Sequence, residues 1–161
     1  MVKKLSILLS VLALSIVLLA CGSDNDRTAE LGDTFQFDGS NGLVELTFED
    51  NISFTHINNQ FSELDGELVI VLPVTMTNIG DDVASLNLFD VTEFGSQGTS
   101  LESIDFLVDG DDIRWGSEIL PGASLESYFH LLYDGSGQYM VRFAAGFGLG
   151  DSVDLVFQVQ R

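Results

Sequence analysis

Carboxylates crowd one short stretch of this 161-residue chain: Asp109, Asp111 and Asp112 around Gly110, with Asp105 before them and Glu118 after. Hard calcium ions take several carboxylate and carbonyl oxygens from a loop, which makes Asp109, Asp111 and Asp112 the candidate calcium ligands. The spacing departs from an EF-hand, since no glycine stands sixth from Asp109 and Leu120 occupies the twelfth position, where a carboxylate would close the loop. Asp-Gly-Asp is also ordinary turn composition. The two histidines, His56 and His130, each sit in a strand pattern beside apolar residues. A zinc site would need both rings plus carboxylates brought together by the fold, because no cysteine follows position 21. Neither ring has a Gly-x-Ser-x-Gly elbow or another activating context, so no catalytic residue is assigned and no enzyme is expected. Gly146, Phe147, Gly148, Leu149 and Gly150 superficially match a nucleotide-binding glycine loop, but a strand pattern follows them where a helix N-terminus would be needed. They read as a hairpin loop with an exposed Phe147, and no cofactor other than calcium is implied.

Cys21 is the one cysteine, so no disulfide within the chain is available and the fold must rest on its core. Lys3 and Lys4 precede an apolar run of about fifteen residues ending in Leu18, Leu19 and Ala20. That is the layout of a secretory signal, shorter than the roughly 20 residues of a spanning helix. With Cys21 directly after Ala20, the run resembles the lipobox of bacterial lipoproteins. The resemblance implies removal of residues 1–20, acylation of Cys21 and a membrane anchor without a transmembrane helix. Two or three acyl chains, at about 0.8 kcal/mol per buried methylene, exceed what stable anchoring requires. The expected location is the cell membrane or outer membrane, facing the extracytoplasmic side. Gly22 and Ser23 do not resemble the aspartate signal that retains lipoproteins at an inner membrane.

Residues 21–32 are expected to form the lipidated cysteine and a short acidic tether, because residues 22–32 are polar and lack apolar periodicity. Residues 33–161 are expected to form one domain, large enough to bury a real core. Without residues 1–20 and their two lysines, four arginines face 25 acidic residues, a formal charge of 4 − 25 = −21. Such a surface repels nucleic acid and anionic lipid head groups, so no nucleic-acid partner is expected. The charge either binds divalent cations or keeps the domain soluble, counterions screening its self-repulsion.

Period-two alternation dominates everything after the signal. Val44, Leu46 and Phe48 alternate with polar residues, as do Ala84, Leu86 and Leu88, then Tyr139, Val141 and Phe143, and finally Val153, Leu155, Phe157 and Val159. Residues 68–76 are apolar on nearly both faces and suit a central strand, where Pro73 demands a bulge or an unpaired side. Further strands are expected near residues 34–37, 52–57, 101–108 and 125–133. Gly-rich and Asp/Asn-rich turns separate them, a spacing that predicts a two-sheet antiparallel sandwich.

The run from Leu68 to Asn78, followed by Ile79, Gly80, Asp81 and Asp82, the Leu86-x-Leu88 segment, and Leu120, Pro121 and Gly122 before an aromatic strand, resembles the DUF4352-type, telokin-like extracellular domains of bacterial lipoproteins. That resemblance implies an all-β, immunoglobulin-like sandwich at the cell surface and carries over no functional residue. The expected role is therefore a lipid-anchored, non-catalytic envelope domain. Its partners would be membrane lipid through Cys21 and an unidentified protein or envelope component. The alternative is a calcium-stabilised surface domain using the acidic loop.

Overall fold

Alternating burial along a chain becomes a sandwich only when backbone pairing joins the segments in register, and here it does so in two layers. The computed structural model describes residues 27–104, 116–148 and 151–161, with backbone only at 147 and 148. Cys21, the signal segment, the acidic cluster Asp109, Asp111 and Asp112, and the Phe147 side chain lie outside the described residues. Nine strands form among the described residues: β1 (Arg27–Ala29), β2 (Thr34–Gly39), β3 (Gly42–Phe48), β4 (Ser53–His56), β5 (Leu68–Asn78), β6 (Val91–Phe94), β7 (Ser124–Leu132), β8 (Gly137–Ala144) and β9 (Ser152–Val159). One sheet runs β1-β9-β8-β6. In the other, β2 pairs with β3 and β3 with β5, while β7 covers the opposite flank of β5. The expected all-β sandwich is thus present. All pairings are antiparallel except β1 with β9, which is parallel.

The core lies between the sheets. Phe143 of β8 meets Phe35, Phe37 and Phe48 of the other sheet at centroid distances of 5.4, 5.8 and 5.9 Å. Phe48 in turn meets Phe129 of β7 edge-on at 5.9 Å. A second, smaller cluster of Ile57, Val69, Val71 and Ile104 lies on the outer face of β5. It explains why β5 is apolar on both faces: Ile70, Leu72, Val74 and Met76 face the main core, while Val69 and Val71 are roofed by loops.

Several local expectations need correction. The sandwich includes Arg27–Ala29, inside the segment read as tether, because pairing with β9 uses main-chain groups and needs only one buried side chain, Ala29. Ala84, Leu86 and Leu88 do not form a strand. Ala84 bridges Ile119, Ser85 N–H donates to Asn41, and Leu86 accepts from Gly116, so the extended segment crosses the sandwich end and bonds to three different neighbours. Residues 101–104 likewise lack a ladder, although Ile104 is buried. Strand β6 escapes the pattern because its register turns Glu93, opposite Val141, toward the core side and Phe94 outward. An inward charge on an edge strand discourages further pairing there. Of the glycine-rich segment after β8, the described part belongs to a short helix, Ala145–Gly148, where a plain hairpin loop was expected.

One end of the sandwich is tied by buried polar side chains. Asn78, fully buried, donates from Nδ2 to the carbonyls of Asp82 (2.8 Å) and Ile119 (2.7 Å) and accepts from Gly80 N–H (2.9 Å). Asp90, also buried, accepts from the Ser40 amide (2.7 Å) and hydroxyl (2.6 Å) at the β2–β3 turn. Gly42 has φ +109° and comes so close that an added Cβ would lie 3.1 Å from the Ala84 methyl. Replacing Asn78 with Ala removes all three bonds and leaves the Ile119 carbonyl with the Ala84 N–H alone, an expected loss of about 2–4 kcal/mol. Asn78→Asp is expected to cost at least as much, since a carboxylate cannot donate to either carbonyl. Urea unfolding of both variants tests this, and a midpoint unchanged in either would contradict the assigned role.

Candidate functional site

Pro73 lacks the N–H that a ladder needs, and its position decides where the second sheet opens. Its carbonyl accepts from Glu49 N–H at 3.0 Å, and in an antiparallel strand N and C=O of one residue face the same flank. The missing donor therefore faces the junction of β3 and β4. Phe48 pairs with Val74 and Ser53 with Val71, so residues 49–52 stand opposite only Leu72 and Pro73. The two surplus residues bulge outward.

The opening leaves a surface groove of about 510 Å³ that reaches across β5 to β7. Its chemistry comes from Glu49, Asn51, Ser53, Thr75, Glu126 and Tyr128. Register places Tyr128 beside Pro73 and Glu126 beside Thr75 on the outer face, with the Tyr128 ring exposed. A second groove of about 540 Å³ lies on the other side of the same bulge, walled by Asp50, Phe54 and Gln158. There Phe54 has Tyr133 edge-on at 5.7 Å and the Arg161 guanidinium 5.1 Å above its ring. The first groove thus presents two carboxylates, hydroxyls and a phenol face. Such a set accepts hydrogen bonds and attracts cations: a guanidinium can stack on the phenol while carboxylates take its N–H groups.

The other described arginines are also engaged. Arg142 makes two 2.7 Å contacts to Asp154, and Arg27 donates to the Gln36 carbonyl at 2.7 Å.

The histidines do not converge. His56 pairs with Leu68 and His130 with Val71, three residues apart on β5, so their side chains project from opposite faces of the sheet. His56 Nδ1 lies 3.0 Å from the Gly66 carbonyl and secures the loop before β5. His130 is buried on the outer face. Among the described residues no group of three or more His, Cys, Asp or Glu is arranged to hold a metal ion. Glu118, a flank of the acidic loop, is exposed.

Two titratable groups with shifted pKa values sit at the β7–β8 turn. The buried Tyr139 hydroxyl accepts from Asp134 N–H at 3.0 Å, and its proton lies between the Asp134 carboxylate (2.6 Å) and the Gly135 carbonyl (2.8 Å). Asp134 also accepts from Ser96 N–H at 2.9 Å, stitching the two loops together. Burial, followed by the neighbouring Asp134 carboxylate, pushes the phenol well above its usual range. Burial draws the Asp134 carboxyl upward, but hydrogen bonds from Tyr139 and Ser96 outweigh it and hold the group below the ordinary value. This is a structural corner of the kind found in immunoglobulin-type sandwiches.

Sequence reading missed the groove. Its one sequence signal was Pro73 inside an otherwise unbroken apolar strand; the partner strands that complete it are distant in the chain.

No protein family and no curated protein matches the sequence. Solved structures do. A candidate lipoprotein, ycdA, from Bacillus subtilis is similar over 78% of this chain and 38% of that protein, at 19% identity and a TM-score of 0.58. This chain therefore spans well under half of ycdA. MPT63, a secreted protein from Mycobacterium tuberculosis, is similar over 83% of this chain and 98% of its own, at 14% identity and a TM-score of 0.58. The yjhA protein from Bacillus subtilis is similar over 78% and 98%, at 17% identity and 0.54. At these identities the likeness is one of fold, and no match assigns the chain to DUF4352.

Because the folded-state pKa of Asp134 is lowered, its stabilisation is complete above about pH 4 and is lost as pH falls through the folded value. The raised Tyr139 value adds stabilisation that is complete below about pH 10 and is lost above it. Tyr139→Phe is expected to cost about 1.5–3 kcal/mol at neutral pH, a hydrogen bond to a charged acceptor. The cost should shrink in acid as Asp134 takes up its proton. Urea unfolding at both pH values checks this, and an equal cost at each would refute the coupling.

Proposed function

We propose that this chain is a lipid-anchored protein of the cell envelope whose sandwich binds a basic polypeptide segment without catalysing a reaction on it. The anchor reading is supported by Leu18, Leu19, Ala20 and Cys21, and by the fold shared with a candidate lipoprotein and a secreted protein. Among the described residues, no helix is long and apolar enough to cross a membrane. The observation that carries the binding reading is the groove at the β3–β4 junction, where Glu49 and Glu126 flank the exposed Tyr128. A partner bearing arginine or lysine matches it in charge, and the overall acidity steers such a partner toward the domain. The non-catalytic reading is supported by the histidines, one holding a loop and the other buried on the opposite face.

Two measurements test this. Cys21→Ser is expected to move the protein from the detergent phase to the aqueous phase; unchanged partitioning would overturn the anchor. A hexa-arginine peptide titrated onto the full protein in detergent at physiological salt is expected to bind about tenfold more weakly when Glu49→Gln and Glu126→Gln are combined, a difference of about 1.4 kcal/mol. Tyr128→Ala should weaken it similarly. Asp81→Asn with Asp82→Asn removes the same charge at a distant turn and should matter far less. Equal weakening by both pairs would mean diffuse attraction and would sink the groove.

A further inference from the structure

We infer that the sandwich rests on the bilayer by one defined end, the end where β1 enters, and that exposed apolar side chains there sit among the lipid head groups. The inference rests on the anchor reading above and adds an orientation to it.

Strand β1 fixes which end is nearest the anchor. It runs parallel to β9, with Arg27 opposite Val153, and Val153 is the second residue of β9 after the β8–β9 hairpin. The chain before Arg27 therefore arrives from the hairpin end. The same end carries the β2–β3 turn, the 79–84 segment and the turn before β7. Ser40 bonds Asp90, Ile79 N–H donates to Leu43, and Gly122 N–H donates to Asn78.

Length then restricts the orientation. Between Cys21 and Arg27 lie five residues, Gly22, Ser23, Asp24, Asn25 and Asp26. The six Cα-to-Cα steps from Cys21 to Arg27 can reach at most about 22 Å. Strand β5 alone has 11 residues and runs for about 37 Å. So short a connection cannot let the far end meet the bilayer head-on.

Between the near end and the sides of the sandwich, side-chain chemistry decides. Among the described residues six large hydrophobics are exposed, and four belong to the near end: Phe89 (69% exposed), Leu120 (65%), Val83 (46%) and Ile79 (37%). The outer face of the β2-β3-β5-β7 sheet instead presents Gln36, Glu45, Thr47, Thr75, Thr77 and Glu126. Phe61, at 90%, lies in the loop before β5 at the opposite end. Aromatic and aliphatic tips of this sort settle at the head-group and acyl boundary. A short tether supplies a millimolar-range effective concentration, so the contact need not be tight by itself. Asp81 and Asp82 are exposed at the same end and oppose anionic lipid, which limits how deeply the end settles. The Glu49–Tyr128–Glu126 groove lies part-way along the sandwich on an outer face, clear of the near end.

The test uses the full, processed protein in phosphatidylcholine vesicles carrying a head-group quencher, with a fluorophore on Phe89→Cys, Leu120→Cys or, at the far end, Phe61→Cys. Acylation occupies Cys21, the only other cysteine, so each label is unique. Labels at 89 and 120 are expected to be quenched several-fold more than the label at 61. Anionic lipid at low salt should reduce the difference, and high salt should restore it. Flotation with the vesicles reports the anchor separately. Protein that floats with labels at 89, 120 and 61 equally quenched overturns the orientation and leaves the anchor standing. Protein that fails to float overturns both.

Discussion

The ring of Phe143 is the joint on which the two sheets close. It projects from β8 into the space between layers and touches Phe35, Phe37 and Phe48 of the facing sheet at 5.4 to 5.9 Å. Phe48 extends the contact to Phe129 on β7, so one aromatic chain links β2, β3, β7 and β8. Offset and edge-on rings give both apolar burial and a preferred geometry, which fixes how one sheet sits over the other. With no disulfide available, this cross-sheet contact holds the layers in one arrangement.

Once the layers are set, their ends need closing, and polar side chains do that. Asn78, Asp90 and the Tyr139–Asp134 pair each bind backbone groups of loops that have no ladder of their own. Buried backbone groups away from strands must find partners, and these side chains supply them. These bonds tie the turns at Ser40, Gly80 and Ser96 to the strands beside them.

Legibility followed the physics of each element. The alternation at Val44, Leu46 and Phe48, at Tyr139, Val141 and Phe143, and along β9 records burial against one face, and all three became strands. The same alternation at Ala84, Leu86 and Leu88 records burial equally well, yet the backbone there bonds to three separate partners. Side-chain periodicity reports which way residues point and is silent about which main chain lies alongside. Strand β6 shows the converse, since pairing with β8 holds it extended although Glu93 faces inward. Strand β1 looked like tether because two of its three side chains are exposed and its pairing is main-chain only. Pro73 announced a bulge or an unpaired side, and the bulge at 49–52 stands there, but nothing local showed that Glu126 and Tyr128 would stand beside it.

Composition and local order by themselves determined the lone cysteine after a short apolar run, the acidity of the rest of the chain and its β-rich character, because charge, hydropathy and period two are properties of adjacent residues. The tertiary structure alone decided that the histidines point to opposite faces, that the β3–β4 break opens a groove toward β7, and that the chain enters beside four exposed apolar residues. Each of these joins segments tens of residues apart, and such meetings are set by sheet register and by the packing of Phe143 across the layers rather than by any neighbourhood in the sequence.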